Sequence, residues 1–244
     1  MSDLSGKAAL VTASSRGIGR SIAERLARGG AAVTVNYHES AEAAKEVVAG
    51  IESRGGRAVA VRADVSDLTQ LRALYDDAES AHGPLDIVVN NHASPSFGPI
   101  AETSEDDFDR IFSVTARSTF FSLREAARRI SDGGRIVNIS AGGTVARPAG
   151  GGAYHGAKAA VEQFTAALSK ELGPRGVTVN AVLPGATRTD GLIIPEQMVD
   201  ELVSQTSLGR LGEPDDVAAV VAFLASDDGR WLTGQLLRAT GGLV

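Results

Sequence analysis

The sequence contains no cysteine, which excludes disulfides, thiol catalysis and metal sites built on thiolates. Its four histidines are scattered and show no metal-ligand spacing such as HExxH. No apolar run approaches the roughly 20 residues of a membrane span, and the first residues lack a basic-then-apolar signal pattern. These absences favour a cytoplasmic enzyme that uses no metal ion.

The charge balance restricts the class of partner. The formal net charge is −6, which disfavours nucleic acid and anionic membrane surfaces as main partners. Hydrophobic residues make up 43% of 244 positions, enough to bury a large core without disulfide or metal cross-links. We therefore expect a globular protein whose partner is a small-molecule substrate.

Apolar runs of strand length alternate with segments of helical period almost from end to end. The pattern predicts strands at 8–12, 31–36, 58–61, 86–90, 135–139, 177–182 and 235–238. It predicts helices at 18–28, 41–53, 68–81, 104–130, 153–172 and 214–226, with Thr103 or Ser104 capping the long fourth one.

This alternation predicts an α/β fold: a doubly wound parallel sheet of the Rossmann type, with about seven strands and helices on both faces. The strands are apolar on both faces, as in a parallel sheet that helices cover. We see no linker, so residues 1–244 form one expected dinucleotide-binding and catalytic domain. A loop with one or two short helices is expected within a substrate lid at about 190–213.

A glycine-containing turn links the first predicted strand to the first helix. Glycine here would let the backbone approach a pyrophosphate, which the helix N-terminus then faces. The alternative is a purely structural role, as a tight turn that binds no ligand. The residues of this candidate cofactor turn are Thr12, Ser14, Ser15, Arg16, Gly17, Ile18 and Gly19.

The end of the second strand bears on the type of cofactor. An acidic residue there would accept a hydrogen bond from a ribose 2′-hydroxyl and favour NAD. The chain has Asn36, Tyr37 and His38 instead. Arg16, beside Ser15, offers a planar cation to a 2′-phosphate, although it is also compatible with a solvated surface arginine. The pattern favours NADP(H) over NAD(H).

Further motifs follow the later strands and the fifth crossover. They are Asp64-Val65, Asn90-Asn91, the YxxxK pair Tyr154 and Lys158, Pro184-Gly185 with Thr189, and Gly241-Gly242. With the TxxxxGIG turn, they resemble the short-chain dehydrogenase/reductase family over essentially the whole chain.

The resemblance implies roles for several of these residues. Asp64 and Val65 would contact adenine, and Asn90 would brace the sheet near the cofactor. The nicotinamide end would be held by Pro184, Gly185 and Thr189. The resemblance also implies a homotetramer or homodimer, and a lysine that bonds the nicotinamide ribose.

Tyr154 and Lys158 suggest acid–base chemistry on a carbonyl. A carbonyl carbon that accepts hydride becomes an alkoxide unless a proton arrives. A tyrosine of ordinary pKa about 10 is a poor proton donor near neutrality. We expect the positive charge of Lys158, one helical turn away, to lower the pKa of Tyr154.

Two departures from the family pattern affect the cofactor side. The first glycine of the turn is Ala13, which we expect to be tolerated through a negative φ. The stretch Asn90-Asn91-His92-Ala93 replaces the usual NNAG and places His92 and Ala93 near the cofactor. His92 is interpreted either as a proton donor or substrate contact, or as a packed or solvated loop histidine.

Two further departures affect the catalytic side. Thr115 stands where the family has an active-site asparagine, and a hydroxyl cannot replace both functions of an amide. Ala141 stands thirteen residues before Tyr154, where the family has its catalytic serine. Ser140 is the expected substitute, with Thr144 as another hydroxyl.

These observations predict an NADPH-dependent reductase of a ketone or related carbonyl. The apolar residues of the lid favour a hydrophobic or cyclic substrate, unless they only pack the lid onto the domain; they are Leu192, Ile193, Ile194, Met198, Val199 and Leu202. Two alternatives remain open. One is a non-redox cyclase, dehydratase or isomerase using Tyr154, His92 or His155. The other is a nucleotide-sensing protein without catalysis.

Overall fold

Seven short strands form a single parallel sheet in the computed structural model, which describes residues 3–189 and 196–244. The strand order is β3-β2-β1-β4-β5-β6-β7. The strands are β1 Ala8–Val11, β2 Ala32–Tyr37, β3 Arg57–Arg62, β4 Ile87–Asn90, β5 Arg135–Ile139, β6 Thr178–Pro184 and β7 Leu236–Ala239. The order reverses direction at β1 and β4, which pair directly. In doubly wound sheets, the crevice at such a switch point is where ligands bind.

Helices cover both faces of the sheet, as predicted. The longer ones are α1 Gly17–Arg28, α2 Ala41–Glu52, α3 Leu68–His82, α4 Glu105–Phe112, α5 Ser118–Arg129, α7 Gly152–Glu171, α8 Glu196–Gln205 and α9 Pro214–Ala225, and α6 Gly143–Ala146 is a single turn. One core layer packs α1, α2 and α9 against the sheet, and the other packs α3, α5 and α7. The strands are therefore buried on both sides, which explains their continuous apolar runs.

The long helix predicted at 104–130 is interrupted. Ser104 caps it by accepting from the Asp107 N–H at 3.1 Å, but residues Ser113–Arg117 form a π-helical turn between α4 and α5. Ser118 and Thr119 donate their hydroxyls to the carbonyls of Val114 and Thr115, four residues back. Such side-chain bonds compete with the regular backbone ladder, and π-turns often mark functional positions.

Among the helices of the described residues, none combines the length and apolar character that a bilayer crossing requires. Within the same residues, no group of three or more histidine or carboxylate side chains is placed to hold a metal ion. The lid predicted at about 190–213 contains the helix α8 in its described part, while Leu192, Ile193 and Ile194 lie outside the described residues.

Candidate active site

The turn after β1 is tightly built around Gly19. A Cβ added there would lie 2.4 Å from the carbonyl oxygen of Ala13 and 2.5 Å from Nδ2 of Asn91. Gly17 adopts a φ of +54°. Gly19 therefore requires glycine for space, and the left-handed backbone conformation of Gly17 favours glycine.

Ala13 contradicts the expectation of a negative φ, because its φ is +49°. Two amide side chains hold it in this left-handed conformation. Its N–H donates to Oδ1 of Asn36 at 3.0 Å, and its carbonyl accepts from Nδ2 of Asn91 at 3.0 Å. A methyl-bearing residue in this region is strained by about 1–2 kcal/mol, so these two bonds keep the turn in shape.

The first turn of α1 fits an anionic ligand. No side chain caps this helix, and its first turn contains no acidic residue. Its first N–H groups therefore point toward the turn without a side-chain acceptor, in the position where helices bind phosphate. Together with Gly17 and Gly19, this arrangement fits the pyrophosphate of a dinucleotide.

The residues expected around the adenosine differ in how far their side chains are already engaged within the protein. Asn36 is buried, and its amide is used internally, donating to the Ala63 carbonyl at 3.1 Å while accepting from Ala13. Arg16 is exposed, and its guanidinium makes no hydrogen bond or ion pair within residues 3–189 and 196–244. Tyr37 is half-buried at the end of β2, and His38 lies 3.9 Å from a carboxylate oxygen of Asp64.

Asp64 and Val65 follow β3 at the same edge. Oδ1 of Asp64 accepts from the N–H and the hydroxyl of Ser66, at 2.9 and 2.7 Å, which fixes the carboxylate. Val65 is buried in the core layer that contains α3. Because the Val65 side chain is buried, its backbone is the part that a ligand at this edge of the sheet can contact.

Asn90 links neighbouring elements behind the crevice. Its Nδ2 donates to Oδ1 of Asn138 at 2.9 Å, and its Oδ1 accepts from the hydroxyl of Ser122 at 2.6 Å. Asn138 in turn donates to Thr165 of α7 at 2.8 Å. A chain of buried amides and hydroxyls thus runs from α5 through β4 and β5 to α7.

His92 is packed, not open to a substrate. Its Nδ1 lies 2.8 Å from the hydroxyl of Thr12, and its Nε2 lies 3.1 Å from that of Thr119. Because Thr119 donates to the Thr115 carbonyl, the bonding pattern assigns the proton to Nε2 and makes Nδ1 the acceptor. Burial, and then the charge of Lys158, lower the pKa of His92 to about 3. It is a neutral structural residue, and its neighbour Ala93 is half-buried.

Tyr154 lies in the first turn of α7, and Lys158 one turn later. The Lys158 ammonium is fully buried and donates to the carbonyl of Ile139 at the end of β5. Burial lowers the pKa of Lys158 to about 7, against the opposing effect of Glu162. The ammonium therefore lies at the end of β5, the strand that pairs with β4.

The expectation that Lys158 lowers the pKa of Tyr154 is not met in this structure. Burial raises the pKa of Tyr154 to about 12. The reason is that withdrawal of the phenol from water disfavours its anion, while the buried ammonium is engaged with the Ile139 carbonyl. Tyr154 therefore holds its proton firmly.

Neither substitute hydroxyl predicted near Ala141 is directed to Tyr154. The Ser140 hydroxyl donates to Oε1 of Glu162 at 2.6 Å, and the Thr144 hydroxyl donates to the same oxygen at 2.7 Å. Successive residues at a strand end point to opposite faces, which is why Ser140 faces α7. Glu162 was not recognisable as a site residue from residue type and spacing, because a glutamate on a helix usually lies on the solvated side.

Thr115 lies inside the π-helical turn and is fully buried. Its hydroxyl accepts from the N–H of Ser94 at 3.1 Å, and its carbonyl accepts from Thr119 at 2.7 Å. It therefore braces the segment that follows β4, and its side chain makes no direct hydrogen bond to Lys158.

An aromatic cluster that was not predicted surrounds Tyr154. The ring of Phe97, 64% exposed, lies edge-on to Tyr154 and His155, with centroids 5.5 and 5.7 Å away. His155 occupies a slot in which a Cβ on Gly143 or Gly151 would come within 2.1 or 2.2 Å of a ring nitrogen. This slot fixes the loop between α6 and α7.

The segment after β6 meets the turn after β1. A Cβ on Gly17 would touch Cγ2 of Thr189 at 3.4 Å, so these two predicted cofactor segments are adjacent. Pro184 accepts from the N–H of Gly142 at 2.7 Å, and a Cβ on Gly185 would lie 2.9 Å from Cα of Thr240. The segments after β1, β5, β6 and β7 thus converge at one edge.

In the lid, Leu211 is buried, but the other described leucine, valine and methionine side chains are partly or largely exposed. Met198 is 47% exposed and Leu208 is 70% exposed. The lid is tied to the C-terminal segment, because the N–H of Leu208 donates to Gly241 at 3.0 Å and the hydroxyl of Ser207 donates to Gly242 at 3.1 Å.

Comparison with curated proteins identifies similar oxidoreductases. An uncharacterized oxidoreductase of Methylorubrum extorquens is 44% identical, with 100% of both chains covered. Elsinochrome reductase 1 of Elsinoe fawcettii is 42% identical, with 98% of this chain and 95% of the relative covered. A trihydroxynaphthalene reductase of Pestalotiopsis fici is 41% identical, covering 98% and 89%.

Solved structures and a family model agree with this result. A short-chain dehydrogenase from Burkholderia cenocepacia, solved in complex with NADP, matches with a TM-score of 0.95 at 42% identity, covering 98% of each chain. A family model described as enoyl-(acyl carrier protein) reductase matches residues 12–244. Since these matches span nearly the whole chain, the protein belongs to the short-chain dehydrogenase/reductase family of oxidoreductases.

Proposed function

We propose that this protein reduces a ketone of a hydrophobic, cyclic substrate with NADPH, and that Tyr154 donates the proton. The observation that carries the proposal is the placement of Tyr154 and Lys158 on α7, with the Lys158 ammonium on the Ile139 carbonyl at the end of β5, next to the paired strands β4 and β1. This is the switch point of the sheet, where ligands bind in such folds.

The residues of the β1 turn would hold the cofactor. The uncapped first turn of α1 suits the pyrophosphate, and Arg16 is free to pair with a 2′-phosphate. Asp64, Val65, Pro184, Gly185 and Thr189 would complete the site. When bound, NADPH supplies the hydride. The NADP complex of the Burkholderia relative supports this choice.

The residues of this chain would control the proton. Tyr154 is protonated throughout the neutral range, since its pKa is about 12, and can donate from Oη to the substrate oxygen as that oxygen becomes basic. The nearby Lys158 ammonium would then stabilise the phenolate that remains. The raised pKa keeps the proton on Tyr154 until the substrate oxygen becomes a stronger base than the phenolate.

The names of the relatives and the ring of Phe97 both support the substrate class. A trihydroxynaphthalene is a fused aromatic ring, and its keto tautomer is a cyclic ketone. Phe97 presents an exposed aromatic face beside Tyr154, on which a flat ring can stack. We therefore propose bicyclic hydroxy ketones and quinones as the substrates to test first.

The assembly is also proposed, as a homotetramer or homodimer. Exposed aromatic rings lie along α4 and α5, including Phe108, 46% exposed, and Phe120, 48% exposed. Phe120 packs edge-on to Phe164 of α7 with centroids 5.2 Å apart, so an apolar surface continues from one helix to the next. Such a patch supports burial against a second copy.

The test measures oxidation of NADPH with tetralones and hydroxylated naphthoquinones as substrates. We expect turnover by the protein and a loss of at least about 10²-fold in Tyr154→Phe, because general acid catalysis contributes 10²–10⁴-fold. The matched control is Tyr75→Phe, which removes a buried phenol oxygen from α3 and should leave turnover intact. Product formation without NADPH oxidation would point to a non-redox enzyme. Tight NADPH binding without turnover would point to a nucleotide sensor.

A further inference from the structure

Glu162 is a buried carboxylate that the proposed mechanism does not use. It lies on α7, one turn after Lys158, and is 9% exposed. A buried carboxylate is costly unless hydrogen bonds and an opposite charge compensate it. Oε1 has two donors, the hydroxyls of Ser140 at 2.6 Å and Thr144 at 2.7 Å.

These donors come from the segment that carries Ala141. Ser140 lies at the end of β5, and Thr144 lies in α6, so Glu162 ties the turn between them to α7. The Ser140 hydroxyl is also 3.4 Å from the carbonyl oxygen of Lys158. The N–H of Gly142 in this turn donates to Pro184. A single carboxylate therefore anchors the turn between β5 and α6 to α7, and this turn also contacts the end of β6.

Glu162 also determines the charge balance around Lys158. Among the described residues, Glu162 is the charged group that acts on the buried ammonium, Lys158 in turn acts on His92 after β4, and Tyr154 lies one turn before Lys158 on the same helix. His92 is neutral and Tyr154 is protonated near neutrality. Glu162 is thus the anion that opposes the loss of the Lys158 proton on burial.

We propose that Glu162 is a positioning residue that keeps Lys158 in its ammonium form and holds the β5–α6 turn against α7. This inference rests on the proposed function for its catalytic meaning. Its physical content is the coupling between two charges in α7, which can be measured without any substrate.

The first test is a double-mutant cycle of Glu162→Gln and Lys158→Met, followed by urea unfolding at pH 6 and pH 9. At pH 6 the lysine of the folded protein is charged, and removal of Glu162 should lower the unfolding midpoint more when Lys158 is present than when it is methionine. At pH 9 the buried lysine is neutral, because its pKa is about 7. The difference should then disappear. A coupling that is absent at pH 6, or equal at both pH values, would overturn the proposal.

Glu162→Met provides a second variant, because it fills a similar volume without a buried amide to satisfy. If Glu162→Gln and Glu162→Met both fold at pH 9 but not at pH 6, the charged Lys158 cannot be accommodated without Glu162, which is the strongest form of the predicted charge coupling. If both fail equally at the two pH values, Glu162 acts only as a hydrogen-bond acceptor and the proposal is wrong.

The second test is the pH profile of turnover. In Glu162→Gln, the alkaline limb assigned to Lys158 should move to lower pH by about one unit, with kcat affected more than KM. Ser140→Ala removes one hydrogen bond to Glu162 but keeps the Glu162 charge. The alkaline limb of the pH profile of this variant should therefore stay in place even if kcat falls. An unshifted limb in Glu162→Gln would contradict the charge role. If the protein shows no reductase activity, the proposed function fails, while the unfolding cycle still decides the role of Glu162.

Discussion

At the scale of single residues, the site is defined by where its hydroxyls point. Ala141 carries a methyl group, and the neighbouring Ser140 and Thr144 both donate to Glu162. The hydroxyl functions nearest in sequence to Ala141 thus support the turn instead of facing Tyr154. A reductase built this way lacks one donor to the substrate oxygen and depends more heavily on Tyr154.

A serine at position 141 should therefore improve catalysis. We expect Ala141→Ser to raise kcat/KM by about tenfold or more, since a donor to a developing oxyanion contributes up to about 10²–10³ in rate. The measurement is steady-state NADPH oxidation with the best substrate found. Ala149→Ser, at an exposed position of the loop between α6 and α7, is the control and should change nothing. An unchanged rate in Ala141→Ser would show that another group already binds the oxygen.

Residue types on their own could not predict several of these details. The phosphate turn and the Tyr154–Lys158 pair were recognisable from spacing, and both lie at the expected edge of the sheet. The positive φ of Ala13 was not recognisable, because it depends on two asparagines from other strands. Nor was the pKa of Tyr154, since burial depends on Phe97 and other side chains that the fold assembles.

At the scale of elements, apolar periodicity located the helices and strands well. The strand β5 coincides with the predicted one, and α1, α2 and α3 differ by one residue at an end. The π-helical turn at Ser113–Arg117 was missed because apolar spacing continues through it. Its cause is local bonding by the hydroxyls of Ser118 and Thr119, which periodicity does not detect.

The junction between β1 and α1 offers a test of element packing. We expect Gly19→Ala to weaken NADPH binding by at least about tenfold and to lower the free energy of unfolding by about 1–3 kcal/mol, because the methyl overlaps the Ala13 carbonyl. Calorimetry and urea unfolding measure the two effects. Gly50→Ala in α2 is the matched control, since its nearest contact is a flexible Arg54 nitrogen at 3.8 Å. It should stabilise the protein by about 0.5–1 kcal/mol. Unchanged binding in Gly19→Ala would place the cofactor elsewhere.

At the scale of the whole molecule, the two core layers enclose ionisable groups whose titration affects global stability. His92 and Lys158 are both fully buried. The pKa of each group is lower in the folded protein than in the unfolded chain. At any pH between a group's folded and unfolded pKa, the unfolded chain therefore binds more protons. Stability therefore rises with pH across each interval. For Lys158, this rise begins near pH 7.

His92 makes the fold sensitive to acid. Its pKa of about 3 lies below the ordinary 6.5, so the stability that it contributes is complete above pH 6.5 and is lost as pH falls toward 3. We expect a slope of about 1.4 kcal/mol per pH unit in this interval from this one group. His92→Ala should be less stable at neutrality but should show a flatter slope in urea unfolding between pH 4 and 6.5. Exposed His38→Ala should keep the original slope, and an equal slope in all three proteins would refute the assignment.

The strained alanine after β1 has a consequence for efforts to change the cofactor. Its N–H depends on the side-chain oxygen of Asn36, while the Asn36 nitrogen donates to Ala63 beyond β3. Asn36→Asp, introduced to favour NAD, would keep the oxygen that accepts from the Ala13 N–H but would place a negative oxygen against the Ala63 carbonyl. We therefore expect an exchange at Asn36 that is made to alter nucleotide preference to disturb the turn as well, so a redesign must also rebuild the bonds to Ala13 and Ala63.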